Sequence, residues 1–129
     1  MLRFDSDYME GAHSAILARL AQNNLEKMPG YGEDEICALA KEKILSACEC
    51  EDGEVHFLVG GTQTNATVIA ALLRPYQAVV SADSAHIATH EAGAIEAAGH
   101  KVIPIEGKNG LVDAHILRAN LERFYDDPT

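Results

Sequence analysis

Tryptophan is absent from this 129-residue chain, and Phe, Tyr and Trp together make up only 5% of it. A core built on large rings is therefore excluded, and small side chains must fill it. The frequent Ala and the ten Gly suit helices lying close on a sheet. Positive charge is also scarce: 10 Lys and Arg stand against 20 Asp and Glu, a formal charge of −10. A polyanion would be repelled, so no nucleic-acid partner is expected. A small phosphate is not excluded, because the free N–H groups of a helix start bind it without net positive charge. Cysteine is limited to Cys37, Cys48 and Cys50. An odd count with no signal sequence speaks against a disulfide framework. Cys48-x-Cys50 is not a usual zinc spacing, there is no second pair, and no metal is expected. Long apolar runs are missing too; the longest resemble Val68–Leu73, far short of a membrane span. Met1 to Asp5 has no apolar signal core. No membrane association is expected, and a cytoplasmic location is.

What is present is a succession of short patterned segments. Ile16, Leu17 and Leu20 have helical spacing between Ser14 and about Asn24. Breakers follow at Met28-Pro29-Gly30-Tyr31-Gly32. Asp34 is placed to cap a second helix, reaching about Cys50, with Ile36, Ala40, Ile44 and Ala47 on one face. The pattern then changes. Val55–Val59 reads as a strand, Gln63 to Leu73 as a helix stopped by Pro75, and Ala78–Ser81 as a second strand. A helix is expected from about Thr89 to Ala98. Lys101–Ile105 reads as a third strand, with Pro104 near an edge or end. After the turn Gly107–Gly110, Asp113 is placed to cap a last helix carrying Ile116, Leu117, Leu121 and Phe124. The alternation β-α-β-α-β-α predicts an α/β fold with a mainly parallel sheet flanked by helices, preceded by N-terminal helices.

Two segments carry candidate chemistry. Gly60-Gly61-Thr62-Gln63-Thr64-Asn65 joins a strand to a helix. Its glycines let a ligand approach the backbone, and the helix start offers N–H groups and a positive dipole end. A phosphate monoester fits there; a tight turn with a Thr cap fits equally well. It is neither a P-loop nor a dinucleotide loop. Asp83-Ser84-Ala85-His86-Ile87-Ala88-Thr89-His90-Glu91 follows the second strand, at the carboxyl edge where open α/β sheets bind ligands. His86 is thus placed to act on something held by Gly61 and Thr62. His86 and His90 at i, i+4 make a metal pair conceivable, but no third ligand is evident. His13, His56, His100 and His115 read as structural or surface residues. Phe4-Asp5-Ser6-Asp7-Tyr8 reads as a solvated arm, and Gly30-Tyr31-Gly32-Glu33-Asp34 as a turn with a helix cap.

In this order and spacing the segments resemble the threonine aldolase and β-eliminating lyase family of fold-type I enzymes dependent on pyridoxal 5'-phosphate (PLP). The resemblance runs from Phe4 to about Phe124. It is most specific at Phe57–Asn65 and at His86–Gly93 (His-Ile-x-x-x-Glu-x-Gly), with support from the Gly-Tyr-Gly-x-Asp run and from Gly107–Asp113. It implies that Gly61 and Thr62 bind the cofactor phosphate. It implies that His86 stacks on the pyridine ring and serves as a candidate acid/base, with Glu91 orienting His86 or a water. It implies substrate contacts from Ser6, near the carboxylate, and from Tyr31. The implied activity is cleavage of L-threonine or L-allo-threonine to glycine and acetaldehyde. The alternatives are another PLP-dependent β-eliminating lyase, or a non-catalytic phosphate-binding or interaction module.

The resemblance also implies that residues 1–129 are the N-terminal portion of the large domain, with an N-terminal arm over about 1–35. The remainder of that domain and the C-terminal domain would be absent. Lys27, Lys41, Lys43, Lys101 and Lys108 do not stand in the family's Schiff-base context. A homo-oligomer, dimer or tetramer, or a complementing C-terminal fragment is the expected partner. Residues 1–129 alone, assayed with threonine and PLP, should therefore show no aldol cleavage; clear turnover would overturn this reading.

Overall fold

The computed structural model describes Asp5 and residues 8–126. The chain divides into two compact units, Met1–His56 and Phe57–Thr129.

In the first unit, helix α1 spans Ser14–Asn23 and helix α2 spans Glu35–Ala47. Each start is capped by the residue before it. His13 Nδ1 accepts from the Ala15 N–H at 3.2 Å. Asp34 Oδ1 accepts from the Cys37 N–H at 2.8 Å, which satisfies one orphan donor of the first turn. A hydrogen bond with the Cys37 side chain, joined by that backbone bond, holds the Asp34 carboxyl below its ordinary pKa. Tyr31 and Gly32, both with positive φ, turn the chain between the helices. Past α2 the chain turns again at Glu49, φ 51°. The apolar stripe read in the sequence is real in spacing but open to solvent: Ile16 and Leu17 are each 55% exposed and Leu20 is 62% exposed.

In the second unit, helix α3 (Gly61–Leu72) leads to strand β1 (Ala78–Ala82). Two one-turn helices follow, α4 (His86–Thr89) and α5 (Ala94–Ala97), then strand β2 (Lys101–Ile105) and helix α6 (Ala114–Asp126). β1 and β2 pair in parallel, from Ala78 opposite Lys101 to Ala82 opposite Ile105. The Asp83 N–H extends the ladder to the Ile105 carbonyl at 2.9 Å. Asp113 caps α6, its Oδ1 accepting from the His115 N–H at 2.7 Å. Among the described residues the buried apolar ones are Ala82, Ile95, Val102 and Ile105, and Ile95 is wholly excluded from solvent. His100 is buried beside them, its Nδ1 3.4 Å from the Gln77 carbonyl. Among the described residues no helix is long and apolar enough to cross a membrane.

Two expectations need correction. Val55–Val59 is not a strand. It has β-prone side chains but no ladder partner among the described residues, and Val59 is 96% exposed. Backbone pairing and cross-strand contacts make a strand, not propensity alone. The expected helix from Thr89 to Ala98 is also broken. Ala92 and Gly93 take φ of 50° and 75°, so the helix stops and restarts at Ala94. Glycine enters that left-handed region freely, whereas Ala92 is strained there by about 1–2 kcal/mol.

The second unit's small core concentrates its packing on few side chains. Ile95→Ala is therefore expected to destabilise it by about 2–5 kcal/mol, read from urea unfolding. A change within a few tenths of a kcal/mol would show that Ile95 does not anchor this unit.

Candidate active site

The site grows from the break between α4 and α5. α4 opens directly after β1, so His86 stands near the carboxyl end of that strand. Glu91 lies in the irregular stretch that follows. It is only 5% exposed as a residue, and its side chain is fully excluded from solvent. A buried carboxylate needs donors. Glu91 Oε1 has two: the His86 ring nitrogen Nδ1 at 2.8 Å and the Asn65 amide Nδ2 at 2.5 Å. Oε2 is buried and without a hydrogen-bond partner among the described residues.

The His86 hydrogen bond is the main influence holding the Glu91 carboxyl below its ordinary pKa. Burial opposes it; the Asn65 hydrogen bond and the attraction of the imidazole support it. An ionised carboxylate only accepts. Nδ1 of His86 therefore carries a hydrogen, and Nε2 is the ring nitrogen not engaged by Glu91. The His86 side chain is 62% exposed, so its ring is open to a ligand while one nitrogen is tied inward. The His90 ring stacks on it at 5.4 Å between centroids, with 19° between planes. His90 Nδ1 is in turn held by the Thr89 hydroxyl at 2.5 Å, which donates to the Ala85 carbonyl. No group of three or more metal-ligating side chains occurs among the described residues.

Asn65 belongs to α3, four residues after Gly61, on the same helix face. Its bond to Glu91 sets His86 and Glu91 about one helical turn from the start of that helix. The start is open: a Cβ built on Gly60 or Gly61 would meet nothing within 4 Å. The φ of Gly60 is −174°, which any residue adopts, so its small size matters as room rather than as backbone freedom. No acidic residue stands in the first turn of α3. Thr64 Oγ1 turns back onto the Gly60 carbonyl at 2.9 Å, and the Gln63 side chain accepts from the Val59 N–H at 2.8 Å. These two bonds brace the loop, and the N–H groups of Gly61, Thr62 and Gln63 have no intrahelical acceptor.

Of the residues singled out in the sequence, His86 and Glu91 are in direct contact. Gly61 and Thr62 form the first turn of the helix that carries Asn65. Tyr31 lies in the first unit, in a left-handed turn with φ 62°, fully exposed. Ser6 lies outside the described residues. Asn65 ends the glycine-turn motif, and no role follows for it from the sequence motif alone. Its spacing of four from Gly61 is the signal that sets it on the face below the helix start.

Comparison with known proteins gives a consistent picture. A family model described as beta-eliminating lyase matches residues 3–129. The chain is 34% identical, over 94 residues, to a low specificity L-threonine aldolase of Pseudomonas aeruginosa, covering 73% of this chain and 27% of that protein. It is 30% identical, over 124 residues, to a low specificity L-threonine aldolase of a Pseudomonas species, covering 94% of this chain and 36% of that protein. A solved structure of Leishmania major threonine aldolase superposes with a TM-score of 0.87 at 41% identity, covering 91% of this chain and 34% of that one. The chain thus spans about a third of the length of the relatives it matches, and its α/β fold is that of a fold-type I enzyme.

The depressed Glu91 pKa has a consequence for stability against pH. A carboxyl whose folded pKa is lowered stabilises the fold fully above its unfolded value, about 4.3, and loses that contribution as pH falls through the folded value. The stability advantage of the wild type over Glu91→Gln, read from urea unfolding at a series of pH values, should therefore shrink in the acid range as pH falls through the folded value of Glu91. A difference that stays unchanged across the acid range would contradict this assignment.

Proposed function

Because the chain belongs to the beta-eliminating lyase family, we propose that it forms part of a PLP-dependent carbon–carbon lyase that cleaves L-threonine or L-allo-threonine to glycine and acetaldehyde. The observation that carries the reading is the Asn65–Glu91–His86 chain of hydrogen bonds, which ties an exposed imidazole to the helix whose start is open. The same side chains suit the cofactor. A helix start with free N–H groups, no acidic neighbour in its first turn and no Cβ at Gly60 or Gly61 accommodates a phosphate monoester. An exposed imidazole fixed by one nitrogen offers a flat face to a pyridine ring.

In this reading the backbone of Gly61 and the hydroxyl of Thr62 hold the phosphate. His86 would stand against the ring. PLP, when bound, supplies the electron sink that makes cleavage beside an amino-acid α-carbon accessible. The residues of this chain handle the proton. Glu91 keeps the Nδ1 hydrogen of His86, so Nε2 is the acceptor that takes the proton of the substrate's β-hydroxyl. The ionised Glu91 then stabilises the resulting imidazolium. Ser6 and Tyr31 are assigned to substrate contacts, Ser6 near the amino-acid carboxylate, on family resemblance. The relatives' names support an aldolase substrate. A homo-oligomer, dimer or tetramer, and a cytoplasmic location complete the proposal. Residues 1–129 are assigned to the N-terminal portion of the large, cofactor-binding domain.

The test is made on the complete enzyme carrying this sequence. Thr62→Ala removes one hydrogen bond to a charged phosphate and should weaken PLP binding about tenfold or more, read by fluorescence titration of the cofactor-free protein. His86→Ala should lower kcat for threonine cleavage by about a hundredfold or more. Unchanged cofactor affinity together with unchanged turnover would overturn the proposal.

A further inference from the structure

We propose that Asn65 is a positioning residue: its amide holds the buried Glu91 carboxylate in the orientation that fixes the hydrogen of His86 on Nδ1. Glu91 does not lie within a helix or strand. It stands between two helices of four residues each, and the two residues after it both have positive φ. Local backbone regularity therefore does not aim its side chain. The anchor comes from 26 residues earlier, from Asn65 on the twelve-residue α3.

The chemistry of the contact explains why an amide stands there. The Glu91 side chain is excluded from solvent, and Oε2 has no partner among the described residues. The carboxylate thus depends on the two donors converging on Oε1. One of them, His86, changes its own protonation whenever it passes a proton. Asn65 is neutral and donates in either case, so Glu91 keeps a donor throughout the proton's passage. A cation at position 65 would supply a donor too, but it would attract the carboxylate away from His86. A side chain without an N–H would leave a buried carboxylate with a single donor, and the carboxylate would gain by rotating toward water or by taking a proton. Either response releases the Nδ1 hydrogen of His86.

The inference rests on the reading of His86 as the proton-carrying side chain, but its readout needs no cofactor. Histidine-selective 15N NMR of this chain at about pH 8, where free imidazole is neutral, reports which ring nitrogen carries hydrogen. The His86 signal is identified by its loss in His86→Gln. In the wild type, His86 is expected as the Nδ1–H form. In Asn65→Ala, and in the nearly isosteric Asn65→Asp, the ratio of Nδ1–H to Nε2–H should fall about tenfold or more. A side chain that merely fills space would leave that ratio unmoved while lowering stability. The wild type supplies a second measurement that does not depend on how the variants fold. The Asn65 side-chain amide protons should exchange with water about tenfold more slowly than those of the exposed Asn24. A wild-type His86 carrying its hydrogen on Nε2, equal exchange at Asn65 and Asn24, or an unchanged ratio in folded variants would each overturn the proposal. Failure here leaves cofactor affinity untouched, and loss of cofactor affinity leaves the tautomer result untouched, so the two readings fail separately.

Discussion

A buried carboxylate with one oxygen shared between two donors is the constraint on which the site depends. Glu91 Oε1 receives Asn65 from one side and His86 from the other, while its side chain has no exposure to water. An unpaired charge in that place would be expensive. The pairing therefore links three separate stretches of chain: the helix of the glycine turn, the short helix after β1, and the irregular break that carries Glu91. It also orients the imidazole without covering it. The ring is left 62% exposed, with one nitrogen committed and one available.

The break in the chain at Ala92 and Gly93 makes that carboxylate available. Their φ values of 50° and 75° interrupt what the sequence pattern would continue as one helix. Glu91 can then point inward while Ile95, four residues on, fills the apolar interior. Local strain at Ala92 and the loss of helix hydrogen bonds are offset by a satisfied Oε1 and by the packing of α5 against α3 and β2. The parallel pairing of β1 and β2 supports this from below, with Val102 and Ile105 buried on its two opposite faces.

Much of the fold is legible in the sequence, and the reason differs by element. The helices α1, α2, α3 and α6 announce themselves through apolar spacing together with a local start signal, Asp34 and Asp113 being the clearest. β1 and β2 are short apolar runs between breakers, and both form. Val55–Val59 has the same appearance and does not form, because a strand is a relation between two segments and only one of them is written there. The helix expected from Thr89 breaks for a related reason. Alanine at position 92 gives no warning of a left-handed conformation; only the surrounding contacts impose it.

For the site, residue identity and order along the chain determined the candidates. A glycine turn at a helix start, a histidine after the next strand and an acid five residues later are chemical facts of the sequence. So is the family resemblance they carry. The tertiary structure decided which of these meet, which nitrogen of His86 is engaged, and that Asn65 belongs with them. Those outcomes depend on side chains separated by 26 residues reaching one carboxylate oxygen away from water. A sequence lists donors and acceptors, but burial sets how strongly they need one another, and burial exists only once the chain has packed.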